Sequence, residues 1–195
     1  MKTKMALLLI FSFLAQLGHT QGFVNLDFEG ANISGASPNH YISAADAFPG
    51  WTVSAGYILY DDISLSGGSI SIVDANPLIS YLPPQGNYFA FLFAANDPQN
   101  LYSISLGQTG TVPVSARSIT FWGTLGGMQA TFNGQPLDFL VTGNTANYNI
   151  YTADISTFAE QEGQLLFTLP ANVGYSALDN IQFSSSPIPE PSTFA

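Results

Sequence analysis

The sequence predicts an all-β fold of antiparallel sheets, a sandwich or a barrel, and three observations predict it. Apolar residues alternate at a period of two in about ten short segments. Gly, Pro, Asn and Asp punctuate those segments at short intervals. No sustained 3.6-residue period occurs beyond residue 20, so no long helix is available to cover a parallel sheet.

Residues 23–28 alternate into a first short strand, and residues 30–47 read as a polar loop around Pro38 and Asn39. Residues 51–60 read as strand, turn at Ala55-Gly56, strand. Gly67-Gly68 breaks the chain before residues 69–73, where Ser69 and Ser71 face one way and Ile70 and Ile72 the other. Residues 77–87 form a connection containing Pro and Gly. Residues 88–94 are almost continuously apolar, as a strand buried on both faces would be. Residues 101–106 alternate again, and residues 118–124 form a further strand. Asn133-Gly134 stands between segments 128–132 and 136–141. That is the pattern of a hairpin closed by a type I′ turn, which needs positive φ at both central positions. Residues 148–153, 165–169 and 178–183 complete the set, with one helical turn expected over 156–161 and Ser156 as its cap. The two-residue period places Leu165, Phe167, Ile181 and Phe183 between the sheets.

Composition narrows the function. Lys2 and Lys4 are two of the three basic residues, and residues 1–20 hold none of the 13 acids. Without those residues Arg117 alone faces the acids, a formal charge of 1 − 13 = −12. Such a chain cannot neutralise phosphates, which excludes nucleic acid as a partner and disfavours anionic lipid. There is no cysteine, hence no disulfide framework. The remaining chain is long enough to bury one core without staples.

Groups for catalysis are scarce. Beyond residue 20 the only histidine is His40, in a polar loop, so neither a zinc site nor a Ser–His–Asp arrangement is signalled. A glycoside hydrolase needs only two carboxylates. The close pairs are Asp61/Asp62, which on a strand point to opposite faces, and Glu160/Glu162, in a polar turn; both read as solvated acids. Aromatic residues are plentiful, 15 Phe and nine Tyr among them. Most fill a core, Trp51 and Trp122 included. Tyr57, Tyr60 and Tyr81 lie near turns and are the candidate sugar-stacking residues.

The two ends carry export signals. Lys2 and Lys4 precede an apolar run over residues 5–17, too short to span a bilayer and of the length of a secretory h-region, with small residues placed for cleavage near Thr20. At the other end a Ser-rich spacer leads into Pro189-Glu190-Pro191, whose prolines cannot extend a sheet. This segment resembles the start of the PEP-CTERM sorting signal of bacterial surface proteins. In that family a transmembrane helix and a basic cluster follow, and neither is present before Ala195. The resemblance implies export to the bacterial envelope or beyond, with an exosortase-like enzyme as partner. The organisation expected is a signal peptide over 1–20, a β-sandwich domain over 23–184, and a tail over 185–195.

A second resemblance runs through the middle. Asn25-Leu26-Asp27-Phe28-Glu29-Gly30, then Phe48-Pro49-Gly50-Trp51, then Leu178-Asp179-Asn180-Ile181 near the end, are similar in kind and order to motifs of jelly-roll domains related to carbohydrate-binding modules. This implies a jelly roll and a structural Ca²⁺ held by Glu29 and Asp179, with Asp27 a third candidate if the first strand stays regular. The function implied is that of a non-catalytic envelope or matrix protein associated with extracellular polysaccharide. A carbohydrate-binding module is the alternative, and a carboxylate-dependent glycoside hydrolase a further one.

Overall fold

The structure, a computed structural model, describes residues 22–62, 68–75, 83–94, 102–124, 127–145 and 147–188. The elements in chain order are β1 (His40–Tyr41), helix α1 (Ala44–Ala47), β2 (Thr52–Ser54), β3 (Tyr57–Tyr60), β4 (Ser69–Asp74), β5 (Tyr88–Phe93) and β6 (Ile104–Thr111). They continue with β7 (Ser118–Gly123), β8 (Gln129–Phe132), β9 (Gln135–Pro136), β10 (Leu140–Asn144), β11 (Asn149–Asp154), β12 (Glu162–Leu169) and β13 (Tyr175–Ser184).

Two sheets face each other. The larger runs β1-β3-β4-β5-β13-β7-β11-β10, and the smaller runs β2-β6-β12-β8-β9. This is the antiparallel β-sandwich that the sequence predicts, of jelly-roll type, with one departure: β3 and β4 pair in parallel. Alternation drives the core. Ile70 and Ile72 of β4, Ala90 and Leu92 of β5, and Ile119 and Phe121 of β7 meet Ile104, Leu106, Phe132, Leu165 and Phe167 of the smaller sheet. Burying each large apolar side chain there contributes roughly 1.5–3 kcal/mol. Leu165, Phe167 and Ile181 are buried between the sheets as expected, and Phe183 packs at the margin with its ring 5.4 Å from that of Phe23.

The outer face of the larger sheet is also partly apolar. Val73, Phe89, Phe91, Tyr148 and Ala177 form a second buried cluster there, flanked by Leu59 and Phe93. This explains why residues 88–93 lack alternation: β5 is buried on both faces.

Several local expectations are corrected. Residues 23–28 are not a strand, because Asn25 and Phe28 take positive φ and the segment coils into turns. Residues 51–60 are not a hairpin: β2 joins the smaller sheet beside β6, and β3 joins the larger. Ser156 is the first residue of the turn after β11 and not its cap: the capping position is Ile155, and Asp154 Oδ1 accepts from the Ser156 N–H at 2.7 Å. Asp61 is buried, not solvated, in a positive-φ bend after β3, whereas Glu160 and Glu162 are exposed. Trp122 is only partly buried, outside the core between the sheets. The hairpin at Asn133-Gly134 forms with φ of 49° and 75°, so both central residues take the values a type I′ turn requires. The expected leader over 1–20 and Pro189-Glu190-Pro191 lie outside the described residues, as does Tyr81.

Candidate functional site

Two places in the fold gather chemistry, one around the buried acids and one where the sheets part.

The acids come first. Strand β13 runs through the middle of the larger sheet between β5 and β7, and its pairing with β7 slips between Asp179 and Gln182. The slip is a bulge with Asn180 at positive φ. It frees the Ile181 N–H to donate to the Leu26 carbonyl at 3.0 Å, tying the N-terminal turns to the last strand. Asp179 is fully buried. Its Oδ1 accepts from the Asn180 N–H at 2.6 Å and its Oδ2 from the Gln85 N–H at 3.1 Å. Burial pushes this carboxyl up to about 8; the two amide bonds pull against that, and the charges of Glu29 and Asp27 add to it.

Glu29 is cradled by the connection before β5. Its Oε1 accepts from the Asn87 and Tyr88 N–H groups at 2.6 and 2.8 Å, and its Oε2 from Asn87 Nδ2 at 2.8 Å. Only glycine fits at position 86, where φ is +65° and a Cβ would run into the Glu29 carboxylate. The structure therefore brings Glu29 into the electrostatic surroundings of Asp179, although the two are about 150 residues apart in sequence. Asp27 also bears on Asp179, but its Oδ1 is engaged at 3.4 Å by the Glu29 N–H within the turn. Among the described residues no three acidic or histidine side chains converge on one point.

The second place is a cleft of about 570 Å³. It exists because β9 belongs to the smaller sheet and β10 to the larger, so the chain crosses between layers through Leu137, Asp138 and Phe139 and the layers part there. Phe121 forms the floor, with Tyr151 stacked on it at 4.9 Å and Phe139 edge-on at 4.8 Å. Met128 and Leu137 add apolar wall, and exposed Gln129 and Asp138 supply polar groups at the rim. The Tyr151 hydroxyl accepts from Asn149 Nδ2 at 3.3 Å. Its volume lies within the range of small-ligand pockets, and its lining mixes aromatic rings with polar groups.

No protein-family model matches the chain, and no curated protein matches it significantly. Solved structures do. The carbohydrate-binding module TmCBM61, in complex with β-1,4-galactotriose, aligns over 85% of this chain and 99% of its own at 15% identity, with a TM-score of 0.50. The likeness is one of fold. More distant are the family 11 carbohydrate-binding module from Clostridium thermocellum with a β-1,3-1,4-mixed-linked tetrasaccharide, and the K2 cleaved adhesin domain of Lys-gingipain. The first covers 78% of this chain and 99% of its own at 10% identity and a TM-score of 0.37; the second covers 79% and 96% at 13% and 0.38.

The candidate stacking residues separate. Tyr57 is 47% exposed on the outer face of the larger sheet. Tyr60 is not a surface residue: it is 6% exposed in the core, and its hydroxyl donates to Asp74 Oδ2 at 2.6 Å. Burial and that bond raise its pKa. The cleft residues Gln129, Phe139 and Tyr151 were not legible as a site, because they come from β8 of the smaller sheet, the crossing segment after β9, and β11 of the larger sheet. The one local signal is the short crossing after the Asn133-Gly134 hairpin.

Proposed function

We propose that the protein is an exported, non-catalytic carbohydrate-binding module that takes a neutral glycan in the cleft between its sheets. The observation that carries this is the cleft itself, with the Tyr151 and Phe139 rings for a pyranose face and Gln129 and Asp138 for its hydroxyls. Hydrolysis would require two carboxyls flanking the bond, and Asp138 is the single acid in the lining. The fold likeness to TmCBM61 supports the same reading and makes β-1,4-linked galactan the first ligand to try.

The sequence signals at both ends support export to a bacterial envelope or its polysaccharide matrix. Sorting by an exosortase-like enzyme rests on Pro189-Glu190-Pro191 alone. The acid cluster would serve the fold. Asp179 is a buried carboxylate with no basic residue among its influences, so it is stable either protonated or beside a cation. Ca²⁺ would be held by Asp179 and Glu29, whose oxygens each keep a lone pair except Oε1, with backbone carbonyls completing the set. Bound there, the ion would cross-link the N-terminal turns to the last strand.

Affinity electrophoresis through soluble β-1,4-galactan, mixed-linkage β-glucan and xylan tests the binding. Wild type should be retarded in at least one gel, and Gln129→Ala/Asp138→Ala, confined to exposed rim residues, should run less retarded. Unchanged mobility of that variant would remove the cleft as the site.

A further inference from the structure

We propose a second glycan-contact site, an aromatic platform on the outer face of the larger sheet, which makes the molecule bivalent towards polysaccharide. The platform stands on its own geometry, while bivalency rests on the cleft reading above.

The platform follows from alternation and register. Ile58 and Tyr60 point into the core, so Tyr57 and Leu59 point outward. Tyr41 of β1 lies opposite Leu59. Tyr41 is 71% exposed, and its ring lies 5.6 Å from that of Tyr57 at 39°. Two large rings on adjacent strands thus stand together in solvent. The row then continues across the sheet, because Tyr57 is paired with Ser69, Ser69 with Phe93, and Phe93 with Tyr175. Tyr175 is 37% exposed, and its ring is 5.6 Å from that of Phe91. Three interstrand steps separate Tyr57 from Tyr175, roughly 14 Å. Between them Ser69 is fully buried and Phe93 half-buried, so the exposed platform is the Tyr41–Tyr57 pair, with Tyr175 a separate exposed ring on the same face.

The chemistry points to a neutral polysaccharide. Aromatic faces attract the polarised C–H groups of a pyranose, while tyrosine hydroxyls meet its hydroxyls. Tyrosine loses little conformational freedom when held, having two side-chain torsions. No residue of the row carries a charge, and a chain of formal charge −10 repels anionic polymers. A single exposed tyrosine is ordinary; Tyr41 and Tyr57, exposed together and in mutual ring contact on adjacent strands, form a surface on which a pyranose can stack.

The cleft cannot be reached by the same sugar units. It opens between the sheets beside β11, five interstrand steps from β3, roughly 24 Å away. One molecule can therefore hold two chains, or two stretches of one chain, and cross-link them.

The test compares wild type, the platform variant Tyr41→Ala/Tyr57→Ala and the cleft variant Gln129→Ala/Asp138→Ala. The probe is whichever of the three neutral polysaccharides retards wild type, with polygalacturonate as the anionic control. Light scattering of polysaccharide mixed with protein reads cross-linking, and gel retardation reads binding. Wild type should raise the scattering, and more protein should disperse the aggregates again. The platform variant should keep cleft binding, with apparent affinity about threefold to tenfold lower, and lose the scattering. Scattering equal to wild type from the platform variant, with its fold confirmed by an unchanged urea midpoint, overturns the platform. A cleft variant indistinguishable from wild type in both assays overturns the cleft reading instead. Absence of retardation in all neutral gels overturns both, and retardation by polygalacturonate alone overturns the neutral class.

Discussion

Asp179 gives the most demanding test of the physical argument, because its burial translates directly into a pH dependence. The perturbation is a rise in pH from 5 to 9 in chelator, applied to wild type and to Asp179→Asn. The carboxyl is raised from 3.8 to about 8 in the folded protein. The folded state therefore binds more protons than the unfolded state between those values, and stability falls as pH rises. The contribution is complete below about pH 4 and is lost as pH passes through about 8. The slope is about 1.4 kcal/mol per pH unit within the window, up to a total on the order of 5 kcal/mol. Asp179→Asn should flatten this slope. Its amide keeps one acceptor for the Asn180 N–H but turns a donor towards the Gln85 N–H, a conflict costing roughly 1–3 kcal/mol. The variant should thus be less stable than wild type at pH 5 and approach or exceed it at pH 9. Urea denaturation followed by tryptophan fluorescence reads both. Excess calcium should restore wild type at pH 8, by about 2.7 kcal/mol at one hundred times the dissociation constant, and leave the variant unmoved. A wild-type stability in chelator that is flat from pH 5 to 8 would refute the burial argument, and equal calcium responses in the two proteins would refute the ion.

Three further outcomes are expected. Gly86→Ala forces a side chain into positive φ and against the Glu29 carboxylate, and should cost about 1–3 kcal/mol in urea denaturation, whereas Gly35→Ala, also at positive φ but in open space, should cost about 1 kcal/mol. Asn133→Ala removes the turn residue and two bonds to β12, from the Gln164 N–H to Oδ1 at 3.0 Å and from Nδ2 to the Glu162 carbonyl at 3.3 Å. It should lower stability by about 1–3 kcal/mol, and a smaller loss would show that the turn does not fix the hairpin. Mass spectrometry of secreted protein should find an N-terminus near Gln21, and an intact Met1 would refute the leader.

By itself the sequence determined the class of fold and the charge. Period-two alternation decides which residues of β4 and β12 face inward, because successive side chains on a strand must point to opposite faces. Asn133-Gly134 fixes a hairpin because both residues tolerate positive φ. Three basic residues against 13 acids disfavour nucleic acid whatever the fold. Only tertiary structure decided the rest, and the reason is the same at each place. Residues 23–28 alternate like a strand, yet Asn25 and Phe28 turn instead, because those turns let Glu29 accept the amides at 87 and 88 and let Leu26 take the hydrogen of Ile181. Ala55-Gly56 reads as a hairpin turn, yet the chain changes sheets there. Tyr57 and Tyr60 look alike in the sequence. An odd spacing sends one to solvent and the other to the half-buried Asp74 carboxylate on β4, a partner that local sequence does not contain. Both proposed surfaces are made of residues from different elements, so they exist only once register and layer assignment have been set by the whole core.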